Sequence, residues 1–392
     1  MRTRLLETAI VLTLSGAVIL GQARRLPPEY VSGPYEVDLD WPKPLSPDHT
    51  WGRTPTIFAE SPDRVFVMQS GLVPWSWKKT ENSIGGQVPS VRAANVATHC
   101  AASQVPAGTC AAQSNPMVEQ RTGKPIAGGR WDHLLMIVDA TGRVVESWDQ
   151  HNHLFTHPHS IAISPYDPER HVWVVDDDSE QIFKFTSDGT LVMTIGEFRV
   201  RGNDSTHLGG PSGITWLPNG DFYVTDGYKN SRVVKFSKDG KYLMEFGKPG
   251  TGPGEFRTPH GLAIDAKGRL YIADRTNDRI QVFDANGTFL KQWPNIGMPN
   301  YIAISRDQQY AWVADGRNNK ILKYDLEGNL LYSWGTFGFD PGLIWCVHGF
   351  STDAQGNLYT AEVFSGRAQK FRPRKGADSS HLVGPLALNQ LQ

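Results

Sequence analysis

The strongest constraint on this chain is that it repeats itself. "PHGLAIDAKGRLYIADRTNDRIQVFDANGTFLKQW" at 259–293 shares its plan with 211–247, with 299–335 and, after a longer first turn, with 158–196. A shorter last copy spans 347–371, and a first copy is split between 54–71 and 134–148. Within each copy, short alternating runs are separated by Asp-Gly, Asn-Gly or Lys-Gly, the pattern of strands joined by tight turns. An acidic landmark recurs at Asp176, Asp226, Asp274, Asp315 and Glu362, at separations of 50, 48, 41 and 47 residues. A period in the forties with four strands per copy is that of propeller blades. Six copies predict an all-β fold, a six-bladed β-propeller over residues 30–375, and leave no need for a second domain.

A propeller must close its ring. The last copy has three clear strands, and "PYEVDLDW" at 34–41 alternates well. This stretch is expected to supply the missing outer strand of the last blade. The tail at 376–392 is expected to run over the surface. An insertion at 79–130, rich in Gly, Ala, Gln, Ser and Pro, interrupts the first blade between its second and third strands and reads as a flexible loop. Residues 1–23 read as a signal peptide: Arg2 and Arg4, an apolar run from Ala9 to Leu20, then small residues for cleavage. A periplasmic or secreted protein is expected, and in such a compartment Cys100 and Cys110 would pair as a disulfide. With 39 Lys and Arg against 40 Asp and Glu, charge gives no reason to expect nucleic acid or, beyond the signal segment, a membrane as partner. A monomer acting on a small-molecule or peptide substrate is expected.

One position opens the innermost strand of every copy. From first to last it holds Thr56, His159, Ser212, His260, Asn300 and His348. Histidine thus takes every second blade, and alternate blades of a six-fold ring are related by a three-fold axis. Three imidazoles at one height should face the central channel, the set a tetrahedral metal takes from three protein ligands with one position left open. Twelve histidines in 392 residues put chance occupancy of any one position at about 3%. Three in strict alternation therefore favour a metal site over unrelated turn residues. Zinc suits neutral imidazoles without redox chemistry; iron and copper are the alternatives.

The loops joining second and third strands should open on the same face. Two of them carry Tyr228 in "DGYKNSR" and Arg275 in "ADRTNDR". Arg275 reads almost equally well as a partner for Asp274 or Asp278. His151, His153 and His157 precede His159 and read as solvated loop residues. Cys346, two residues before His348, would face the same way along a strand, as a fourth ligand or, more simply, as a small buried thiol.

On "PHSIAIS", "VTDGYKNSRVVKFSKDGK", "TPHGLAIDAKGRLYIADRTNDRIQVF" and "VHGFSTDAQGNLY", the chain resembles NHL-repeat propellers and, more specifically, peptidyl-α-hydroxyglycine α-amidating lyase. That resemblance implies a six-bladed propeller with a three-histidine zinc site, cleaving the N–Cα bond of a peptidyl hydroxyglycine to an amide and glyoxylate. It implies His159, His260 and His348 as zinc ligands, Tyr228 as the catalytic tyrosine and Arg275 as a substrate-contacting arginine. Two departures stand out. The family's first-blade arginine is Ser70 here. The aspartate that follows its third histidine and helps hold a structural calcium is Gly349 here, which counts against calcium. The alternative is a non-enzymatic propeller binding protein or glycan ligands in the periplasm or outside the cell. A propeller lactonase or esterase would need an acidic ring at the inner-strand position, and there is none.

Overall fold

The computed structural model describes residues 32–46, 49–71, 73–74, 132–338 and 340–389. The expected signal peptide, the insertion at 79–130 and the Cys100–Cys110 pair lie outside the described residues. Among the described residues no helix is long and apolar enough to cross a membrane.

Six four-stranded antiparallel sheets form the six blades. Their inner strands are Arg53–Ser61, Pro158–Ile163, Pro211–Trp216, Pro259–Ile264, Pro299–Ile304 and Val347–Thr352 for blades 1 to 6. Each packs against the next, and blade 6 against blade 1, so the ring closes. Tyr35–Val37 is the outer strand of the last blade, with Tyr35 opposite Pro373 and Val37 opposite Phe371. The N-terminal stretch therefore closes the circle as its alternation predicts. The strand beginning at Leu135 pairs with Arg64–Ser70, so the insertion does fall between the second and third strands of blade 1.

The four strands of a blade differ in burial, and their composition follows. Second strands such as Phe222–Asp226 and Leu270–Asp274 are buried throughout. Outer strands alternate, as in Tyr242–Phe246 and Phe289–Trp293, because only one face meets the neighbouring blade. Apolar layers between blades hold the ring together; one joins Trp173, Trp216, Phe222 and Phe236 across blades 2 and 3.

The acidic landmarks lock the loops around the channel. Each is buried at the end of a second strand. Each accepts the backbone N–H two residues before an inner strand: Thr156, Gly209, Arg257, Gly297 and Trp345 give theirs to Asp176, Asp226, Asp274, Asp315 and Glu362. The loop entering the inner strand and the loop leaving the second are thereby tied at one carboxylate, which satisfies donors that no strand can pair.

The described part of the tail runs along the surface, with Asp378–Ser380 exposed, and is fastened there by Val383 and Leu386, which are buried completely or nearly so. Pro385 accepts from the Arg306 N–H at 2.7 Å, and Leu386 bridges Ser305. The reason is apolar: Val383 and Leu386 join Tyr35, Trp312 and Phe350 of blades 5 and 6 in one buried cluster.

Candidate metal centre and mouth

The residues that open the inner strands sit at a repeated irregularity. Pairing with the second strand shifts between Pro158 and Ser160, Pro259 and Leu262, and Val347 and Gly349, and likewise in blades 3 and 5. The residue left over is His159, His260 or His348, or Ser212 or Asn300. A bulge releases a side chain from the pleat and re-aims it, and here it turns the imidazoles toward the channel.

The three rings meet. Their centroids lie 4.6, 4.6 and 4.8 Å apart, and one nitrogen from each falls within 4.8 Å of the others. All three are buried. Each Nδ1–H donates to a backbone carbonyl of the following blade: His159 to Ser212 at 2.6 Å, His260 to Asn300 at 2.6 Å and His348 to Pro55 at 2.7 Å. A carbonyl can only accept, so the proton of each neutral ring is on Nδ1 and Nε2 keeps its lone pair. This is the outer bond that metal-ligating histidines make.

Electrostatics point the same way. Burial holds His159 and His260 well below the usual imidazole range, and it pushes His348 down to about 3 with the Arg275 guanidinium adding to the effect. Three uncharged imidazoles thus present lone pairs to one point. The Nε2 atoms of His159 and His260 are 3.1 Å apart with no proton between them, an arrangement that a cation relieves. The donor set fits a borderline metal such as zinc. Beneath it lies a cavity of about 30 Å³ that includes Gly349 and Leu388 in its lining; no carboxylate lines it among the described residues. Three imidazoles without a carboxylate match a hard cation such as calcium less well than they match zinc.

Tyr228 and Arg275 stand at the same centre. Tyr228 Oη is 2.8 Å from His159 Nε2 and 3.0 Å from His260 Nε2. Arg275 donates from Nη1 to Tyr228 Oη at 3.2 Å, with its guanidinium 5.0 Å from the ring centroid. Burial pushes the Tyr228 phenol up, and Arg275 opposes it. Neither neighbouring aspartate pairs with Arg275: Asp274 takes Arg279 at 2.8 Å and Asp278 takes Arg317 at 2.5 Å. Arg275 is 1% exposed, it has no ion pair among the described residues, and its Nε has no hydrogen-bond partner. A buried cation without a counter-charge is costly, and an anionic ligand would supply one.

The other candidates sort plainly. Cys346 does not join the cluster. Its φ of 52° takes it out of strand alternation with His348, its Sγ lies 3.6 Å from Asn300 Nδ2, and burial pushes the thiol up to about 12. His151 bonds the Gly189 carbonyl at 2.6 Å in a 3₁₀ turn, and His153 is exposed. His157, expected to be solvated, instead lies in the mouth between Arg53 and Asp177. Arg53 was not legible as a site residue: it precedes the blade-1 repeat signal and meets His157 across 104 residues of chain.

Known proteins resemble this one in two ways. A family model described as a 6-bladed beta-propeller matches residues 171–293. Peptidyl-glycine alpha-amidating monooxygenase B of Xenopus laevis is 36% identical over 187 residues, 45% of this chain and 20% of its own length. NHL repeat-containing protein 3 of Homo sapiens is 32% identical over 189 residues, 45% of this chain and 54% of its own. Peptidyl-alpha-hydroxyglycine alpha-amidating lyase 1 of Drosophila melanogaster is 30% identical over 279 residues, 67% of this chain and 48% of its own. The chain thus spans between a fifth and about half of the length of these relatives. It is a six-bladed β-propeller of NHL-type repeats, similar in sequence to proteins named for peptide amidation.

Proposed function

We propose that the protein is a zinc-dependent carbon–nitrogen lyase acting on peptidyl-α-hydroxyglycines or close analogues, releasing an amide and glyoxylate. One observation carries the reading. Three Nε2 lone pairs, a tyrosine hydroxyl and a buried arginine that has no counter-anion among the described residues converge on one point. Relatives named as amidating lyases add support.

His159, His260 and His348 would hold the metal. Once bound, it supplies a Lewis acid for the substrate's oxygens. Arg275 binds the substrate carboxylate, for which a guanidinium offers paired donors. Tyr228 handles the proton. Its Oη accepts the hydroxyl proton, a role that burial opposes and the Arg275 charge favours; the O–H electron pair becomes the carbonyl bond of glyoxylate. The N–Cα bond breaks, its pair goes to nitrogen, and Tyr228 returns the proton there, so the amide leaves neutral. Nothing is oxidised or reduced.

The test uses the purified chain loaded with zinc and N-benzoyl-α-hydroxyglycine, with glyoxylate and benzamide measured together. Equal amounts of both, lost on chelation and restored by zinc, are expected. A non-catalytic recognition propeller would give no product and no stoichiometric metal.

A further inference from the structure

The mouth contains a second guanidinium, brought there by a different route. Arg53 begins the inner strand of blade 1, opposite Ser70, and is 4% exposed. Its Nη1 donates to His157 Nε2 at 2.7 Å. An arginine can only donate, so that nitrogen carries the lone pair and the imidazole proton is on Nδ1. From there His157 donates to the Asp177 carboxylate. Asp177 is 3% exposed. The series Asp177, His157, Arg53 crosses the seam between blades 2 and 1 beside the centre: His157 is two residues from His159, and Arg53 is two residues from Pro55, whose carbonyl takes the His348 Nδ1–H at 2.7 Å.

The two arginines differ in charge balance. Arg275 has no carboxylate partner among the described residues, whereas Arg53 is offset by Asp177 through one imidazole. A substrate carboxylate gains most beside Arg275. Beside Arg53 it would also meet the repulsion of Asp177, while a neutral carbonyl oxygen accepts from Arg53 without that penalty. We infer that Arg53 donates to the acyl oxygen of the departing amide, while His157 and Asp177 act as positioning residues for it. The inference rests on the lyase reading. As the N–Cα pair arrives on nitrogen, charge spreads through the amide to that oxygen. A donor fixed there stabilises the transition state more than the bound substrate. The substrate class this selects is the N-acyl-α-hydroxyglycines, in preference to carbinolamines of simple amines, which have no acyl oxygen to bind.

The test compares N-benzoyl-α-hydroxyglycines with para substituents from methoxy to nitro, using the zinc-loaded full chain. Arg53→Gln is expected to lower kcat on the order of 10²-fold, the cost of removing one such donor. The loss should be greatest for the methoxy substrate, whose amide leaves least easily, and smallest for the nitro. Arg53→Lys should recover part of the rate, and Asp177→Asn should steepen the substituent dependence in the same direction but less. Calorimetric affinity for glyoxylate should fall in Arg275→Gln and stay within about twofold in Arg53→Gln, a shift under about 0.4 kcal/mol. An unchanged substituent dependence in Arg53→Gln overturns the inference, as does an equal loss of glyoxylate affinity in both variants; either leaves the lyase reading intact. Absence of product from the unaltered chain overturns the lyase reading itself. Should Arg53→Gln fail to fold, Asp177→Asn decides: the same dependence as the unaltered chain counts against the inference, a steeper one for it.

Discussion

Blades 1, 3 and 5 and blades 2, 4 and 6 have one backbone plan and two outcomes. In blades 3 and 5 the bulged position holds a short polar residue, and its side chain bonds to the following blade. Ser212 Oγ lies 3.0 Å from both the Pro259 and the His260 carbonyl, and Asn300 Nδ2 donates to Val347 at 3.0 Å. In blade 1 the shift falls between Arg53 and Thr56, so Thr56 pairs with Met68 within the sheet, and its Oγ1 accepts from the Ile161 N–H at 3.2 Å. In the even blades an imidazole makes the same kind of seam bond with Nδ1. The difference is what remains. The Ser212 hydroxyl and Asn300 Nδ2 are used at the seam, with Asn300 Oδ1 left buried and without a partner among the described residues, whereas an imidazole still has Nε2, two bonds beyond Nδ1, to give to a metal. The candidate metal centre is thus a structural position occupied, in every second blade, by a side chain long enough to do two jobs.

The sharpest way to break that comparison is to alter one position of each kind. His260→Ala is expected to leave bound zinc near zero by elemental analysis and to abolish turnover, since a lost ligand should exceed the roughly 10–100-fold cost of losing a ligand's outer hydrogen bond. Asn300→Ala should keep its zinc, because the carbonyl that orients His260 belongs to the Asn300 backbone. Equal metal loss in both would erase the distinction between odd and even blades.

Next in size is Tyr228→Phe. Its Oη touches two of the three imidazoles and Arg275. A loss in kcat of about 10²–10⁴-fold is expected, the usual contribution of a positioned acid–base group, with zinc content and melting temperature nearly unchanged. Arg275→Gln should act more through substrate than through chemistry. Losing a charge-assisted interaction of about 1.5–3 kcal/mol predicts a fall in kcat/KM of about 10–100-fold, mostly in KM. A fall in kcat at constant KM would instead make Arg275 a partner of Tyr228 alone.

Legibility divides along the same line between repeat and non-repeat. The blades, the closing strand Tyr35–Val37 and the alternation of His159, His260 and His348 were readable because ring position follows directly from repeat number. So was the placing of Tyr228 and Arg275, since every blade sends its second-to-third loop to the same face. What the sequence hid depends on contacts between unlike segments. Arg53 and His157 meet across a blade seam, each outside the repeat signal. Cys346 leaves the strand pattern at a positive φ that no periodicity announces. Val383 and Leu386 find an apolar patch that exists only after blades 5 and 6 have packed.

The smallest effect tests the seam itself. Ser212 is 2% exposed, and its Oγ lies at hydrogen-bond distance from Pro259, His260 and Thr225. Its carbonyl, not its side chain, accepts from His159. Ser212→Ala therefore removes a hydroxyl between blades 3 and 4 while keeping the bond that fixes the His159 tautomer. A loss of about 1 kcal/mol is expected, read as a lower urea midpoint at unchanged slope, with zinc affinity and turnover held. If zinc affinity instead fell with stability, the odd-blade side chains would be supporting the histidines directly, and the seam could no longer be separated from the centre it encloses.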